Sequence, residues 1–187
     1  MGRVNIIDYV TIASVGNATD FGDLTQSRDS TATCSSTTRG LTAGGDGNST
    51  FNIIDYVTIA STGNASDFGD LSVARKKLAG VSSNTRGVFG GGSDSNVLDY
   101  VTIASTGNAS DFGDLIGTMK EHPAGISSKI IGIIAGGVDK DGGGNDVKVA
   151  TMDAINIAST GNATDYGDLT LSVSQIAGNS NSHGGLA

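Results

Sequence analysis

Tryptophan is missing from this chain of 187 residues, and Glu121, Pro123 and Cys34 are each the only residue of their kind. With nineteen acidic residues and a single glutamate, and with lysine and glutamine scarce, the usual material of helices is absent. One cysteine excludes an internal disulfide and leaves the redox compartment open. Basic residues are few: eleven Lys and Arg give a formal charge of −8 and a pI near 4.4. That balance argues against nucleic acid, whose phosphates require Lys and Arg, and equally against anionic membrane surfaces. No apolar run approaches the ~18 residues of a membrane helix. The opening Met1-Gly2-Arg3-Val4 has no hydrophobic secretion segment, so any route to the outside is expected to be a different one.

What the chain does contain is Thr, Ser, Val, Ile, Asn, Asp and twenty-nine glycines, the residues of strands and turns. The glycines show no three-residue period, which excludes collagen. Four segments are near copies: Asn5–Leu24, Asn52–Leu71, Asn96–Leu115 and the more divergent Thr151–Leu169. Each ends in Gly-Asn-Ala-Thr/Ser-Asp-Phe/Tyr-Gly-Asp-Leu, with the first Asp of the phrase at 20, 67, 111 and 165. Periods of 47, 44 and 54 residues point to propeller blades or a solenoid array. A second unit recurs between them. It runs from Leu78 to Gly91, is echoed from Ala124 to Gly137 and more loosely from Thr33 to Gly45, and is truncated from Ile176 to Ala187.

Each repeat reads as four short strands: Leu-Ala-Gly-Val-Ser, the run into Gly-Gly, Asp-Tyr-Val-Thr-Ile-Ala, and the stretch around Asp-Phe-Gly-Asp-Leu. The Ser-Thr-Gly-Asn segment between the last two supplies a hairpin turn. The third strand is apolar on both faces, with Ile6, Val10 and Ile12 on one and Ile7, Tyr9 and Ala13 on the other. A strand buried on both sides suits a sheet packed between two others.

Gly90-Gly91, Asp99-Tyr100 and Phe112-Gly113-Asp114-Leu115, with Arg28 after Leu24 and Arg75 after Leu71, resemble the Kelch family in content and order. The resemblance covers nearly the whole chain. Phe21, Phe68, Phe112 and Tyr166 stand for the family's Trp, and the Asp-Tyr order is reversed. Met119 and Val173 stand for its Arg in the last two repeats, and Ala154 for the Tyr of the fourth. The repeat wording also resembles Kelch-like repeats in proteins of tailed bacteriophages, marine ones in particular.

The fold class this implies is all-β: a Kelch-type β-propeller of four blades, each of four antiparallel strands. A single domain over residues 1–187 is expected, with repeats around 5–24 (closed by 170–187), 25–71, 72–115 and 116–169. The C-terminal strands would complete the N-terminal blade and so hide sheet edges. A fragment of a longer array, or half of a two-chain ring, is the alternative.

Function is expected on loops. From the third-strand Asp to the fourth-strand Asp the spacing is constant (8 to 20, 55 to 67, 99 to 111, 153 to 165), whereas the Gly-Gly-to-Asp spacing varies. Variable connections are loops, and in a propeller these emerge on one face. The candidate binding residues there are Asp46, Asn48, Ser93, Asp94, Asp139, Asp141, Asn145 and Asp146. Asp139, Asp141 and Asn145 have the alternating spacing of a calcium loop but lack its distal Glu and flanking helices. No other cofactor is expected. The paired carboxylates Asp20/Asp23, Asp67/Asp70, Asp111/Asp114 and Asp165/Asp168 recur in every repeat, so they are read as turn-bonding groups and not as metal ligands. The Asn-Ala-Thr/Ser tripeptides match a glycosylation sequon but are read as turns.

An enzyme is not expected. His122 and His183 are too few for a zinc or copper site, and Cys34 reads as a buried filler. The expected role is a non-enzymatic structural or binding module. Given the phage resemblance, this would be a virion fibre, tail or decoration component at a virion or extracellular location. Its partners would be other virion proteins, or host-surface glycan or protein, with self-association into a homo-oligomer also open to it. A bacterial lectin-like or protein-binding propeller with no viral role is the competing reading.

Overall fold

The computed structural model describes residues 2–117 and 120–179. Strands β1 (Ile6–Tyr9) and β2 (Thr19–Asp23) pair as an antiparallel hairpin. Next, β3 (Ala32–Ser35), β4 (Arg39–Ala43), β5 (Ile53–Thr58) and β6 (Ser66–Asp70) form a four-stranded antiparallel sheet in chain order. A second such sheet holds β7 (Ala79–Ser82), β8 (Arg86–Gly90), β9 (Val97–Thr102) and β10 (Ser110–Asp114). The third begins with β11 (Ala124–Ser127) and β12 (Ile131–Ala135). A separate hairpin, β13 (Val138–Lys140) and β14 (Asp146–Lys148), interrupts it before β15 (Thr151–Asn156) and β16 (Thr164–Asp168) complete it. No helix occurs among the described residues.

The all-β reading and its strand quartets therefore hold for the stretches 25–71, 72–115 and 116–169. Two expectations need correction. Residues 138–148 are a short hairpin and not a bare loop, because Val138 and Val147 give each arm a β-branched residue beside a glycine turn. Burial on both faces holds for β5, β9 and β15 but fails for β1, where Ile6, Tyr9, Val10 and Ile12 are exposed. Among the described residues β1 pairs with β2 alone, whereas β5, β9 and β15 each have a strand on both sides. The closing strands expected at 180–187 lie outside the described residues, and 170–179 contains no strand.

In each sheet the last strand bulges at its aromatic residue. Asp55 pairs with Asp67 and Ile54 with Gly69, so Phe68 is the extra residue, and Phe112 and Tyr166 occupy the same place. Phe68 packs edge-on to Tyr56 at 5.9 Å, and Phe112 likewise to Tyr100 at 6.0 Å. Phe68, Leu71, Phe89, Val101 and Ile103 share the core between the first two sheets. Phe112, Leu115, Ile134, Ile155 and Ile157 do the same between the next two. Full burial of each such side chain stabilises the fold by roughly 1.5–3 kcal/mol.

A repeated joint fastens sheet to sheet. The turn before the fourth strand reaches back, so that Gly107 N donates to Phe68 O (2.7 Å) and Ala109 N to Asp70 O (2.7 Å), while Asn108 Oδ1 accepts Asp70 N (3.1 Å). Residues 63–65 make the same bonds to Phe21 and Asp23, and residues 161–163 to Phe112 and Asp114. Glycine is required at 69: its φ is +142°, and a Cβ would collide with the Gly107 carbonyl.

The segments leaving β2, β6 and β10 each bury a cation on the third-strand Asp of the next sheet. Arg28 lies 3.0 Å from Asp55, Arg75 2.6 Å from Asp99 and Lys120 2.9 Å from Asp153, all six side chains being buried. Lys120 thus takes the place expected of residue 119, one position further along than in the other repeats. Arg75 also donates to the carbonyls of Gly91 (3.0 Å) and Val97 (2.6 Å). First strands approach one another without a backbone ladder and are stitched by serines: Ser82 Oγ donates to Ser35 O (2.8 Å), and Ser127 Oγ accepts Ser82 N (3.3 Å).

Removing one member of a buried pair strands the other's charge. Arg75→Met is expected to cost about 3–5 kcal/mol in urea unfolding, whereas Lys76→Ala on the surface changes stability by under about 0.5 kcal/mol. Equal losses for the two would refute the structural weight given to the pair.

Candidate functional site

Two residues beyond the buried cations Arg28, Arg75 and Lys120, and two beyond Val173 at the matching place, the chain turns a corner. The corner residues are Ser30, Lys77, His122 and Gln175, and each has a left-handed backbone with φ between 54° and 63°. A non-glycine residue there costs roughly 1–2 kcal/mol. Successive corners are bonded amide to carbonyl: Lys77 N to Ser30 O (2.8 Å), His122 N to Lys77 O (2.8 Å) and Gln175 N to His122 O (3.2 Å). φ is therefore nearly the same at four places where the side chains are a hydroxyl, an ammonium, an imidazole and an amide. The chain has twenty-nine glycines but uses none here.

The Gly-Gly turns lie against these corners. Gly45 N donates to Arg75 O (2.9 Å), Gly92 N to Lys120 O (2.7 Å) and Gly137 N to Val173 O (2.7 Å). Their loops carry the residues picked out from the sequence. Asp46 sits between Arg3 (2.8 Å) and Lys76 (3.2 Å), and Arg3 also holds Asp29 (2.9 Å). Asn48 is exposed on a hollow that it shares with Arg3, Gln26, Ser27 and Phe51. Ser93 has a positive φ of 46°, and its hydroxyl accepts Lys76 N (3.0 Å), so Lys76 brings the first two loops together. Asp94 is exposed beside it, with φ 59°.

On the β13–β14 hairpin, Asp139 lies within β13 opposite Val147 and accepts Lys140 N (2.7 Å). Asp141 Oδ1 accepts the amides of Gly143 and Asn145, both at 2.8 Å, and both its oxygens take the Asn145 side chain. Those bonds hold its carboxyl below the usual range. Asp146 pairs with Lys140, whose ammonium is held up by that hydrogen bond. Asp141 thus bonds its own turn, while Asp139 belongs to a strand. Among the described residues no group of three His, Cys, Asp or Glu is placed to hold a metal ion.

Other groups have defined roles. Asp20, Asp67 and Asp165 each accept the amide two residues on, as turn carboxylates do. Cys34 packs its sulfur against Gly87, and burial pushes the thiol up to about 12, which leaves it a poor nucleophile. His183 lies outside the described residues.

No protein-family model matches the chain, and no curated protein matches it either. The site must be read from its own geometry. Four of its residues gave no signal in the sequence: Arg3, Lys76, Lys77 and Glu121. Lys77 and Glu121 pair at 2.8 Å beside His122 and join the second corner to the third. The only clue to the corners is their constant offset from Arg28, Arg75 and Lys120, since their side chains share nothing.

His122 offers a direct check. Burial, with repulsion from Lys77, holds its imidazole below the ordinary 6.5 against the pull of Glu121. Its folded-state value lies under its unfolded value. Whatever stability it contributes is complete above 6.5 and erodes as pH falls from there to the folded-state value. An NMR titration is expected to place its midpoint under 6.5, and a midpoint at or above that figure would contradict the packing described.

Proposed function

We propose that the chain is a Kelch-type propeller module that works by binding and not by catalysis, and that its contact surface is the face carrying the four corners and the Gly-Gly loops. The observation that carries this reading is the set of strained corners. Ser30, Lys77, His122 and Gln175 hold different polar side chains in one backbone geometry that glycine would adopt at lower cost. Side chains kept at such a cost, in an array joined by hydrogen bonds, suit a surface that displays groups to a partner.

Support for the propeller reading comes from the first strands. A Cβ on Gly80 would strike the Thr33 carbonyl, one on Gly125 that of Gly80, and one on Gly178 that of Gly125. Gly178 thus continues a series begun by β3, β7 and β11. All four residues line one cavity of about 640 Å³, together with Ile6, Ile7 and Asp8 of β1. In this reading the hairpin β1–β2 and the strand copy around Gly178 belong to one blade, the fourth.

The polar, shallow face gives modest affinity per chain, so useful binding comes from many copies. That fits a virion fibre, tail or decoration component touching other virion proteins or a host-surface glycan or protein. The triple variant Lys77→Gly, His122→Gly, Gln175→Gly relieves backbone strain and is expected to melt no lower than the parent. Its capture by host cells or a glycan array is expected to fall about tenfold or more if these side chains act as contact anchors. Deleting Lys140 through Asn145 tests the outlying hairpin in the same assay. Undiminished capture by the folded triple variant would move the contact surface elsewhere.

A further inference from the structure

On the face that carries the corners, the first loop departs from its copies in chemistry. Three matching amides fix the comparison: Arg75 N donates to Phe51 O (3.0 Å), Lys120 N to Ser95 O (3.3 Å) and Val173 N to Val149 O (3.2 Å). An aromatic ring therefore stands where the next two repeats have a hydroxyl and an isopropyl group. Gln26, two residues after Leu24, stands where Val73, Gly117 and Leu171 follow Leu71, Leu115 and Leu169. Val73 and Leu171 are exposed, as Gln26 is, so the exchange of an apolar group for an amide is made at the surface.

Both exchanges meet in one hollow of about 680 Å³, within the roughly 300–1,000 Å³ of small-molecule sites. Phe51 lines it half-buried, with its ring held against Gly47, where a Cβ would collide with it. Arg3 donates to Asp29 (2.9 Å), to Asp46 (2.8 Å) and to the Gly47 carbonyl (2.8 Å). Asp29 and Asp46 also exchange both backbone bonds, at 3.0 and 2.8 Å. The frame is thus tied down, while the exposed side chains of Gln26 and Asn48 make no hydrogen bond among the described residues. Charge around the hollow is balanced, with Arg3 and Lys76 set against Asp29 and Asp46.

We propose that this hollow binds a neutral saccharide, a sugar unit lying against the Phe51 ring with its hydroxyls on Gln26, Asn48 and Asp29. The inference rests on the reading of this face as the contact surface and names its ligand class. A sugar carries the two kinds of surface that the hollow offers together. Its C–H groups suit a flat aromatic ring, and its hydroxyls both donate and accept, as the two amides do, while the Asp29 carboxylate accepts. A phosphate or an acidic sugar would find Arg3 already paired with two carboxylates. A purely apolar ligand would cover the amides and leave them without a partner.

An NMR titration of the isotope-labelled chain is the test. The probes are methyl glycosides of neutral hexoses, deoxyhexoses, pentoses and N-acetylhexosamines, with N-acetylneuraminic acid and inorganic phosphate as charged controls. A neutral glycoside is expected to shift the side-chain amides of Gln26 and Asn48 at millimolar concentration. Phe51→Leu keeps an apolar side chain on Gly47 but removes the flat ring, and is expected to weaken binding about three- to tenfold. Gln26→Val, which copies the next repeat, and Asn48→Ala are at exposed positions and are each expected to weaken it about threefold or more. All three variants are expected to melt with the parent. The proposal is overturned if no neutral glycoside shifts these amides, if phosphate or the acidic sugar shifts them more strongly, or if the folded variants bind as the parent does. The wider reading fails separately. Cell capture undiminished in the corner variant strikes the contact face, whereas capture lost there with no sugar in the hollow strikes the hollow alone.

Discussion

A buried cation on a third-strand aspartate is the constraint from which the rest of this structure follows. Asp99 receives Arg75 at 2.6 Å and the amide of Ser72 at 3.2 Å, so one carboxylate of the second sheet holds the chain as it leaves the first. Arg75 in turn ties the Gly91 and Val97 carbonyls, locking the Gly-Gly turn to the strand that follows it. A charge taken out of water needs such partners in fixed places, or it costs several kcal/mol. The pair therefore specifies geometry more than it adds stability. Two residues after the cation, a left-handed φ turns the chain into the next first strand.

The same constraint explains where repeats tolerate change. Between Leu71 and Arg75 the spacing matches that between Leu24 and Arg28, yet the third repeat carries one more residue before Lys120. Its Nζ still reaches Asp153 at 2.9 Å, because a flexible four-carbon stem absorbs an offset that a planar guanidinium would not. The Gly-Gly-to-strand loops lie outside the clamp, and there the chain accommodates the whole β13–β14 hairpin without disturbing the pairing of β12 with β15.

Much of this was legible in the residues. The strand quartets follow from the repeat, and the paired aspartates behave at 20, 67 and 165 as turn carboxylates should. The buried pairs were only half visible. Arg28 and Arg75 stood out by position, but Asp55 and Asp99 read as spacing markers, since nothing local says that a strand carboxylate will meet a cation some 24–27 residues away. Lys120 was missed because its offset shifts by one. The corners were illegible for a deeper reason. The left-handed φ is nearly the same at Gln175, which follows Val173, as at Ser30, Lys77 and His122, which follow a buried cation, and the four carry no common side-chain signature. The exposure of Ile12 escaped the pattern too, because burial of a repeat depends on its neighbour and not on its own sequence.

That dependence governs the energetics of the whole array. In a chain of stacked units, stability is a sum over units and over the interfaces between neighbours. The central sheet has an interface on each side and contributes Phe89 to one core and Val88 to the other. Among the described residues the hairpin β1–β2 is joined to a neighbouring sheet on one side, by residues 63–65, and its Val10 and Ile12 are exposed although their counterparts Val101 and Ile103 are core. Burial of a repeated apolar residue is thus set by the sheet that stands beside it and not by the residue's own identity, so each interface protects side chains on both of the units it joins.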